Sequence, residues 1–227
     1  MQDKLDERRR VVLVEDDNLT RTILEQVLNQ GGFEVQSAKN ASDAETLCVQ
    51  FDPDAVVLDV DLGTGPNGFD LAESLRISSP GIAILFLTHL PDPRFGGRNL
   101  ESIPADCAYL DKNKLTNSQV LLDAIDAVLR GKLTEIPRDH RDPNRPFSQL
   151  SASQISVLRM IALGYSNQQI ATERNTSIRA VYGLTSRAML AIGSDEDIEG
   201  AGRVGAARSY MLVAGIPLDA KHGNLQT

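Results

Sequence analysis

The first part of the chain alternates short apolar runs with longer amphipathic segments, and this alternation limits the possible folds more than any other feature. Runs such as VVLV, AVVL and AILFL carry no charge and are rich in β-branched residues, as in parallel strands covered on both faces. Five such strands alternating with helices predict a doubly wound α/β fold around a parallel sheet. The predicted strands lie at 11–14, 33–38, 54–62, 82–89 and 107–112, and the helices at 18–32, 41–51, 68–78 and 118–132.

Local signals add detail to these helices. Apolar residues at helical spacing predict the buried face of the first helix, and Ser42 is a candidate cap for the second. The connection at 91–105 is the least helix-like, because Pro, Gly-Gly and scattered charges interrupt it. The predicted buried face consists of Leu19, Ile23, Val27 and Leu28.

Polar side chains follow four of the five predicted strands. Two acids come directly after the first strand, two more end the third, a threonine ends the fourth and a lysine the fifth. Ligands of a parallel sheet bind beyond the carboxyl ends of its strands, so these groups should converge. Clustered carboxylates repel one another unless a hard cation joins them, and oxygen ligands suit Mg²⁺. The converging side chains are those of Glu15, Asp16, Asp59, Asp61, Thr88 and Lys112.

A simpler interpretation exists for the acids of the first strand. Asp17 or Asn18 could serve only as the cap of the following helix. A cap does not explain why Asp59, Thr88 and Lys112 occur at three further strand ends. The combination therefore favours a functional site.

With these residues the chain resembles the response-regulator receiver domain, which has a flavodoxin-like fold, over residues 10–132. The resemblance rests on LVEDD, VVLDVDL, LFLTH and YLDK. It implies that Asp59 accepts a phosphoryl group from a phosphohistidine of a sensor kinase. It also implies an Mg²⁺ site and a group of switch residues that read the phosphoryl group. The metal site would use Glu15, Asp16, Asp59 and the backbone carbonyl of Asp61, and the switch residues would be Thr88, Tyr109 and Lys112.

Three features depart from this family's pattern. The small residue usual after the threonine is replaced by His89, and the proline usual after the lysine by Asn113. The loop GTGPNG is one residue longer than is common. These changes remove no chemical group from the predicted site, although His89 could crowd the phosphorylation pocket.

Two enzyme classes share part of the same pattern. DVDLGT looks like the DxD motif of Mg²⁺-dependent, aspartate-nucleophile phosphatases of the haloacid dehalogenase type, but Gly63 stands where these carry Thr or Val. The glutamate of VEDD followed by a later DxD is also similar to Toprim nucleotidyl-transfer domains. Neither class needs Thr88 and Lys112 at the next strand ends. The sequence therefore favours a regulator that is not an enzyme.

Charge and composition divide the chain into two domains. Residues 1–132 carry 13 basic and 22 acidic side chains, whereas residues 147–227 carry seven and six. The segment 133–147 contains three prolines among alternating charges and no apolar periodicity, which predicts a linker. The last predicted domain, 148–216, has only helical patterns.

The segment LGYSNQQIA…TSIRAV resembles the LuxR-type helix-turn-helix, which often follows receivers in the NarL/FixJ group. The resemblance implies that the third helix of this domain, 178–192, enters the major groove of DNA. Tyr182 and Ser186 stand where cations are usual, and Leu190 and Ala191 replace a later basic pair. The candidate DNA-binding residues are Ser166, Asn167, Arg179, Tyr182, Gly183, Ser186 and Arg187.

A further helix is predicted over 203–215. In this group such a helix often forms a dimer contact, but it could equally pack on its own domain. Its predicted buried face consists of Val204, Ala207, Met211 and Ala214.

Together these patterns predict a two-component transcriptional regulator. Its expected partners are a sensor histidine kinase, double-stranded DNA and a second copy of the chain in the active state. No segment is long and apolar enough for a membrane span, and Cys48 and Cys107 form no CxxC pair, so a cytoplasmic protein with reduced thiols is expected. The main rival is a receiver whose degenerate helix-turn-helix binds another protein.

Overall fold

A computed structural model describes residues 8–63, 65–104, 106–136, 139–192 and 202–215. The chain forms two compact units. The first consists of the described residues within 1–88 and 104–138, and the second of those within 89–103 and 139–227. The end of the predicted second domain, at 216, lies outside the described residues.

The first unit contains a five-stranded sheet in which every pairing is parallel. The strands are β1 (Arg10–Val14), β2 (Glu34–Ala38), β3 (Ala55–Leu58), β4 (Ala83–Thr88) and β5 (Cys107–Asp111). Their order in the sheet, β2-β1-β3-β4-β5, is the flavodoxin-like order of a doubly wound fold. The three central strands are buried apart from Arg10 and Ala83, the half-buried first residues of two of them, as their apolar sequences predict. The predicted fold class is therefore confirmed.

Four α-helices flank this sheet, and each begins after a capping side chain. Asp17 caps the first by accepting a hydrogen bond from the backbone N–H of Thr20 at 2.7 Å. Asn40, rather than the predicted Ser42, caps the second, because its side chain accepts the backbone N–H of Asp43 at 2.8 Å. The helices are α1 (Asn18–Gln30), α2 (Ala41–Phe51), α3 (Gly68–Ser78) and α4 (Ser118–Leu129).

The buried face of α1 agrees with the predicted one at Leu28 and, in part, at Val27, and differs from it at Leu19 and Ile23. Leu24 and Leu28 pack in the core, whereas Leu19 is 69% exposed and Ile23 50% exposed. Successive residues of a helix point in directions about 100° apart. Because α1 has apolar residues at neighbouring positions, its sequence is compatible with two different buried faces. Only the packing against the sheet distinguishes them.

The connection between β4 and β5 contains no α-helix among its described residues. It forms two short 3₁₀ turns, Pro93–Gly96 and Leu100–Ser102. Residues 89–103 also group with the second unit, so the predicted receiver range of 10–132 is interrupted. The predicted linker, 133–147, has buried residues at both ends: Ile136 in the core of the first unit and Phe147 in the second. Ile136 and Phe147 are buried by residues that are distant in sequence. The composition of the segment alone cannot predict such contacts.

The second unit is all-α in its main elements, as predicted. Ser151, Ser166 and Ser177 cap its first three helices, and the first two also form capping boxes with glutamines. The core of this unit includes Ile155 and Leu158. The helices are α5 (Ala152–Ala162), α6 (Asn167–Glu173), α7 (Ile178–Ala191) and α8 (Gly202–Ala214).

Helix α8 packs on its own unit, with Ala206 and Tyr210 buried against the other helices. The predicted face is wrong for Val204, which is 74% exposed. In a helix rich in Gly and Ala, few large residues mark the buried side. None of the described helices has both the length and the hydropathy needed to cross a membrane.

Candidate functional site

Backbone pairing positions the acids at the carboxyl end of the sheet. The backbone N–H of Glu15 donates to the carbonyl of Ala38 at 3.1 Å, and that of Asp59 donates to the carbonyl of Val14 at 2.9 Å. The sheet hydrogen bonding therefore continues just beyond the strands. It holds two carboxylates in the interior, with Glu15 2% exposed and Asp59 6% exposed.

Three carboxylates converge at this edge of the sheet. Oxygens of Glu15, Asp16 and Asp59 all lie within 4.8 Å of one another, and Asp16 is the most exposed of the three. The backbone N–H of Asp61 donates to Oδ1 of Asp59 at 3.2 Å. These are hard oxygen ligands at a spacing that one cation can bridge, so the donor set fits Mg²⁺.

A buried lysine joins the cluster. Nζ of Lys112 lies 2.6 Å from Oδ2 of Asp59 and also pairs with Oε2 of Glu15. Burial lowers the pKa of Lys112, but the charges of Asp59 and Glu15 outweigh it, so the pKa is raised overall. Burial and the charge of Asp59 raise the pKa values of both Glu15 and Asp16. Lys112 thus compensates only part of the negative charge.

Two residues that the sequence did not indicate also shape this site. Nη1 of Arg21 donates to the backbone carbonyl of Glu15 at 2.7 Å, which ties α1 to the loop after β1. A Cβ atom on Gly68 would lie 2.1 Å from the carbonyl oxygen of Asp59. Gly68 is the first residue of α3, and its backbone N–H donates to Val60 at 2.9 Å. In the sequence, Gly68 is distinguished only by its position directly after Asn67, the residue that caps α3.

The predicted switch residues lie on β4 and β5. Thr88 is buried at the end of β4 and pairs in register with Asp111 of β5. Tyr109 is fully buried, with its ring centroid 6.2 Å from that of Phe86. His89, the unusual residue after Thr88, is exposed. Thr88 thus lies on the strand next to β3, which ends at the acidic cluster, and Tyr109 lies one strand further away.

The candidate DNA-binding residues form two groups in the second unit. On α7, Arg179, Ser186 and Arg187 are exposed and Tyr182 is 60% exposed, so this helix presents a polar face. On α6, the side chains of the two candidate residues already have protein partners. Ser166 caps the helix through the backbone N–H of Gln169 at 3.2 Å, and Oδ1 of Asn167 accepts Nη1 of Arg203 at 2.7 Å. Gly183 lies on α7 between the exposed residues, and a Cβ atom there would meet Nη1 of Arg187 at an ordinary 3.5 Å.

Comparison with known proteins gives consistent matches. The family model of the response regulator receiver domain matches residues 11–106. The nitrate/nitrite response regulator protein homolog of Haemophilus influenzae is 31% identical over 183 residues, covering 76% of this chain and 83% of the relative. The oxygen regulatory protein NreC of Staphylococcus carnosus is 26% identical over 189 residues, covering 76% and 85%.

Solved structures extend the likeness to the second unit. RcsB from Salmonella enterica serovar Typhimurium, bound to the promoter rprA in the presence of the phosphomimetic BeF₃⁻, superimposes with a TM-score of 0.58. The match covers 89% of this chain and 98% of RcsB at 19% identity, a level that shows the fold alone. A structure of two RcsB dimers bound to two parallel DNAs gives a TM-score of 0.54 at 20% identity, covering 89% and 98%. The chain therefore belongs to the response regulator family, and the folds of its units are similar to those of RcsB.

Proposed function

We propose that Asp59 accepts a phosphoryl group from a sensor histidine kinase and that this controls binding of the second unit to double-stranded DNA, and hence transcription. The observation that carries this proposal is the meeting of three carboxylates with the ammonium of Lys112 at the carboxyl end of the sheet. Family membership supports the same chemistry.

The chain's own groups prepare Asp59 as a nucleophile. The Asp61 N–H holds Oδ1 at 3.2 Å and Lys112 holds Oδ2 at 2.6 Å, so the carboxylate is fixed in orientation. One carboxylate oxygen attacks the phosphorus of a phosphohistidine in line. The new P–O bond forms as the P–N bond breaks, and the imidazole leaves with the bonding electron pair. Lys112 then remains beside the acyl phosphate and compensates its charge.

The metal would be held by the carboxylates of Glu15, Asp16 and Asp59, together with the backbone carbonyl of Asp61. When bound, Mg²⁺ supplies positive charge that neutralises the phosphoryl oxygens. Burial and, after it, the charge of Asp59 raise the pKa values of Glu15 and Asp16, and a bound cation would offset both effects.

Three residues would read the new charge, which is about −1.5 to −2 at neutral pH. The hydroxyl of Thr88 would hydrogen-bond a phosphoryl oxygen, Lys112 would pair with another, and Tyr109 would follow the movement of the strands. Thr88 and Tyr109 are both buried, so a rearrangement of either changes packing as well as hydrogen bonding.

For the output, α7 would enter the major groove with Arg179, Tyr182, Ser186 and Arg187 on its exposed face. Ser166 and Asn167 would position α6 at the phosphate backbone. Because α7 has few cations, useful affinity would require a homodimer on paired half-sites. The exposed Val204 and Leu212 of α8 are the apolar residues available for that contact.

Labelling with a small phosphodonor such as acetyl phosphate tests the proposal. The wild-type chain should be phosphorylated only when Mg²⁺ is present, and Asp59→Asn should abolish the labelling. Asp17→Asn is the matched control, because Asp17 is an exposed acid beside the cluster and Asn also serves as a helix cap. Wild-type labelling of Asp59→Asn would reject the assignment. Absence of any gel shift with genomic fragments would favour the protein-interaction alternative.

A further inference from the structure

The segment 89–103 has an unusual position in this fold. In sequence it connects β4 to β5 of the receiver sheet, yet its contacts belong to the helix-turn-helix unit. The chain passes into the second unit directly after Thr88 and returns to the first at Pro104. We call residues 89–103 the shared segment.

A buried ion cluster fixes the shared segment within the second unit. Asp92 is 0% exposed, and both of its carboxylate oxygens accept hydrogen bonds from arginines. Nε of Arg94 lies 2.9 Å from Oδ1, while Nη2 of Arg94 and Nε of Arg145 lie 2.6 and 2.8 Å from Oδ2. Arg145 is 53 residues away in sequence, in the segment predicted as a linker.

The same arginine also binds the chain that leads into the helix-turn-helix. Nη2 of Arg94 donates to the carbonyl of Phe147 at 3.1 Å, and Nη1 donates to the carbonyl of Leu150. Helix α5 starts two residues later, at Ala152. Arg94 therefore fixes the start of the first helix of the output domain.

Aromatic packing connects the shared segment with the last helix of that unit. The ring of Phe95 is buried, with its centroid 5.9 Å from that of Phe147 and 5.7 Å from that of Tyr210 on α8. The packing of both α5 and α8 thus depends on side chains supplied by receiver sequence.

We propose that the shared segment transmits the state of the phosphorylation pocket to the DNA-binding helices. This inference rests on the proposed function. The candidate hydroxyl switch, Thr88, is the residue directly before the segment, and Tyr109 lies on the strand that follows it. A rearrangement of β4 or β5 on phosphorylation changes where the segment's ends are held. The rigid cluster of Asp92, Arg94 and Arg145 passes that change to α5.

Hydrogen–deuterium exchange on the full chain, with and without acetyl phosphate and Mg²⁺, tests the proposal. In the wild type, phosphorylation should change exchange in peptides of α5 and α8 as well as in β4. Asp92→Asn keeps the shape of the side chain but leaves two buried arginines without their counter-charge. This variant should exchange about ten-fold faster or more in α5 before phosphorylation, and its phosphorylation-dependent change there should be lost. Glu101→Gln, an exposed position of the same segment, is the matched control and should behave as the wild type.

Phe95→Ala supplies a second variant that alters packing rather than charge. It should accelerate exchange in α8 and leave the strands of the sheet unchanged. The coupling is refuted if Asp92→Asn and Phe95→Ala retain the wild-type response in α5 and α8, or if the phosphorylated wild type shows no response there. Labelling of Asp59 is measured on the same samples by intact mass. Absence of labelling therefore counts against the proposed function, whereas unchanged exchange in labelled protein counts against the shared segment.

Discussion

At the scale of single residues, the proposed phosphorylation pocket combines buried carboxylates with one buried ammonium. Glu15 and Asp59 are both held by Lys112, and Asp16 lies nearer to solvent. Removing one partner of a buried ion pair costs more than the pair contributes, because the remaining charge stays unsolvated. Removal of either a buried carboxylate or the ammonium of Lys112 should therefore destabilise the pocket.

Replacement of Lys112 tests this sensitivity. Lys112→Gln should lower the free energy of unfolding of the metal-free chain by about 3 kcal/mol, because it leaves two buried carboxylates without their cation. It should also slow labelling of Asp59. Urea unfolding and labelling rates measure the two effects. Lys114→Gln, an exposed lysine two residues on, is the control. Equal stability of the Lys112 variant and the wild type would show that the ion pairs contribute little.

The pH dependence of metal binding follows from the raised pKa values of Glu15 and Asp16. A carboxyl group whose pKa is raised on folding stabilises the fold below its unfolded value and loses that contribution as pH rises through its folded value. The metal-free pocket is thus less favourable as pH rises and the two carboxyl groups ionise, and the proposed Mg²⁺ would bind their ionised forms. Calorimetry should show a larger Mg²⁺-induced rise in Tm at about pH 7.5 than at about pH 5. A rise that is independent of pH would exclude these carboxylates as ligands.

At the scale of elements, strand ends predict the site well and helix faces predict packing less well. Glu15, Asp59 and Lys112 could be placed from sequence because side chains at the carboxyl ends of parallel strands converge whatever the helices do. The contributions of Arg21 and Gly68 could not be predicted, since they depend on how α1 and α3 approach the loops after β1 and β3. The same dependence on packing explains the displaced buried face of α1.

The start of α3 gives a test at this scale. Gly68→Ala introduces a Cβ atom only 2.1 Å from the carbonyl oxygen of Asp59, so the backbone must shift at the proposed phosphoacceptor. We expect a loss of about 1–3 kcal/mol in unfolding free energy together with slower labelling. The control is Gly81→Ala, because a Cβ at Gly81 would meet nothing within 4 Å. Labelling of Gly68→Ala at the wild-type rate would show that the loop accommodates the change.

At the scale of the whole molecule, the chain carries a net charge of −8, and its helix-turn-helix part has few cations to offer to DNA. The shared segment could not be predicted at this scale either. Its anchoring depends on an Asp92–Arg145 pairing across 53 residues, which no local pattern reveals. What local sequence did predict is the order of strands and helices.

The salt dependence of DNA binding measures how many DNA phosphates are neutralised by cations of the protein. For a dimer with two or three phosphate contacts per subunit, we expect the slope of log K against log salt to be about −4 to −6. Arg179→Ala should weaken binding to all sequences and make the slope shallower. Tyr182→Ala should chiefly reduce discrimination between sequences. Titration of a bound fragment at several salt concentrations provides the affinity and the slope. A slope steeper than about −8 would indicate an additional basic surface.

The interleaving of the chain has a consequence for recombination between genes. Two domains that share only a linker can be exchanged by one cut within that linker. A cut between residues 133 and 144 of this chain would leave Asp92, Arg94 and Phe95 on one fragment and their partners Arg145, Phe147 and Tyr210 on the other. A working chimaera would have to inherit the β4–β5 connection together with the helices it supports. Exchange of this output domain between regulators thus requires two coordinated crossovers, and the receiver and its output are constrained to evolve as one unit.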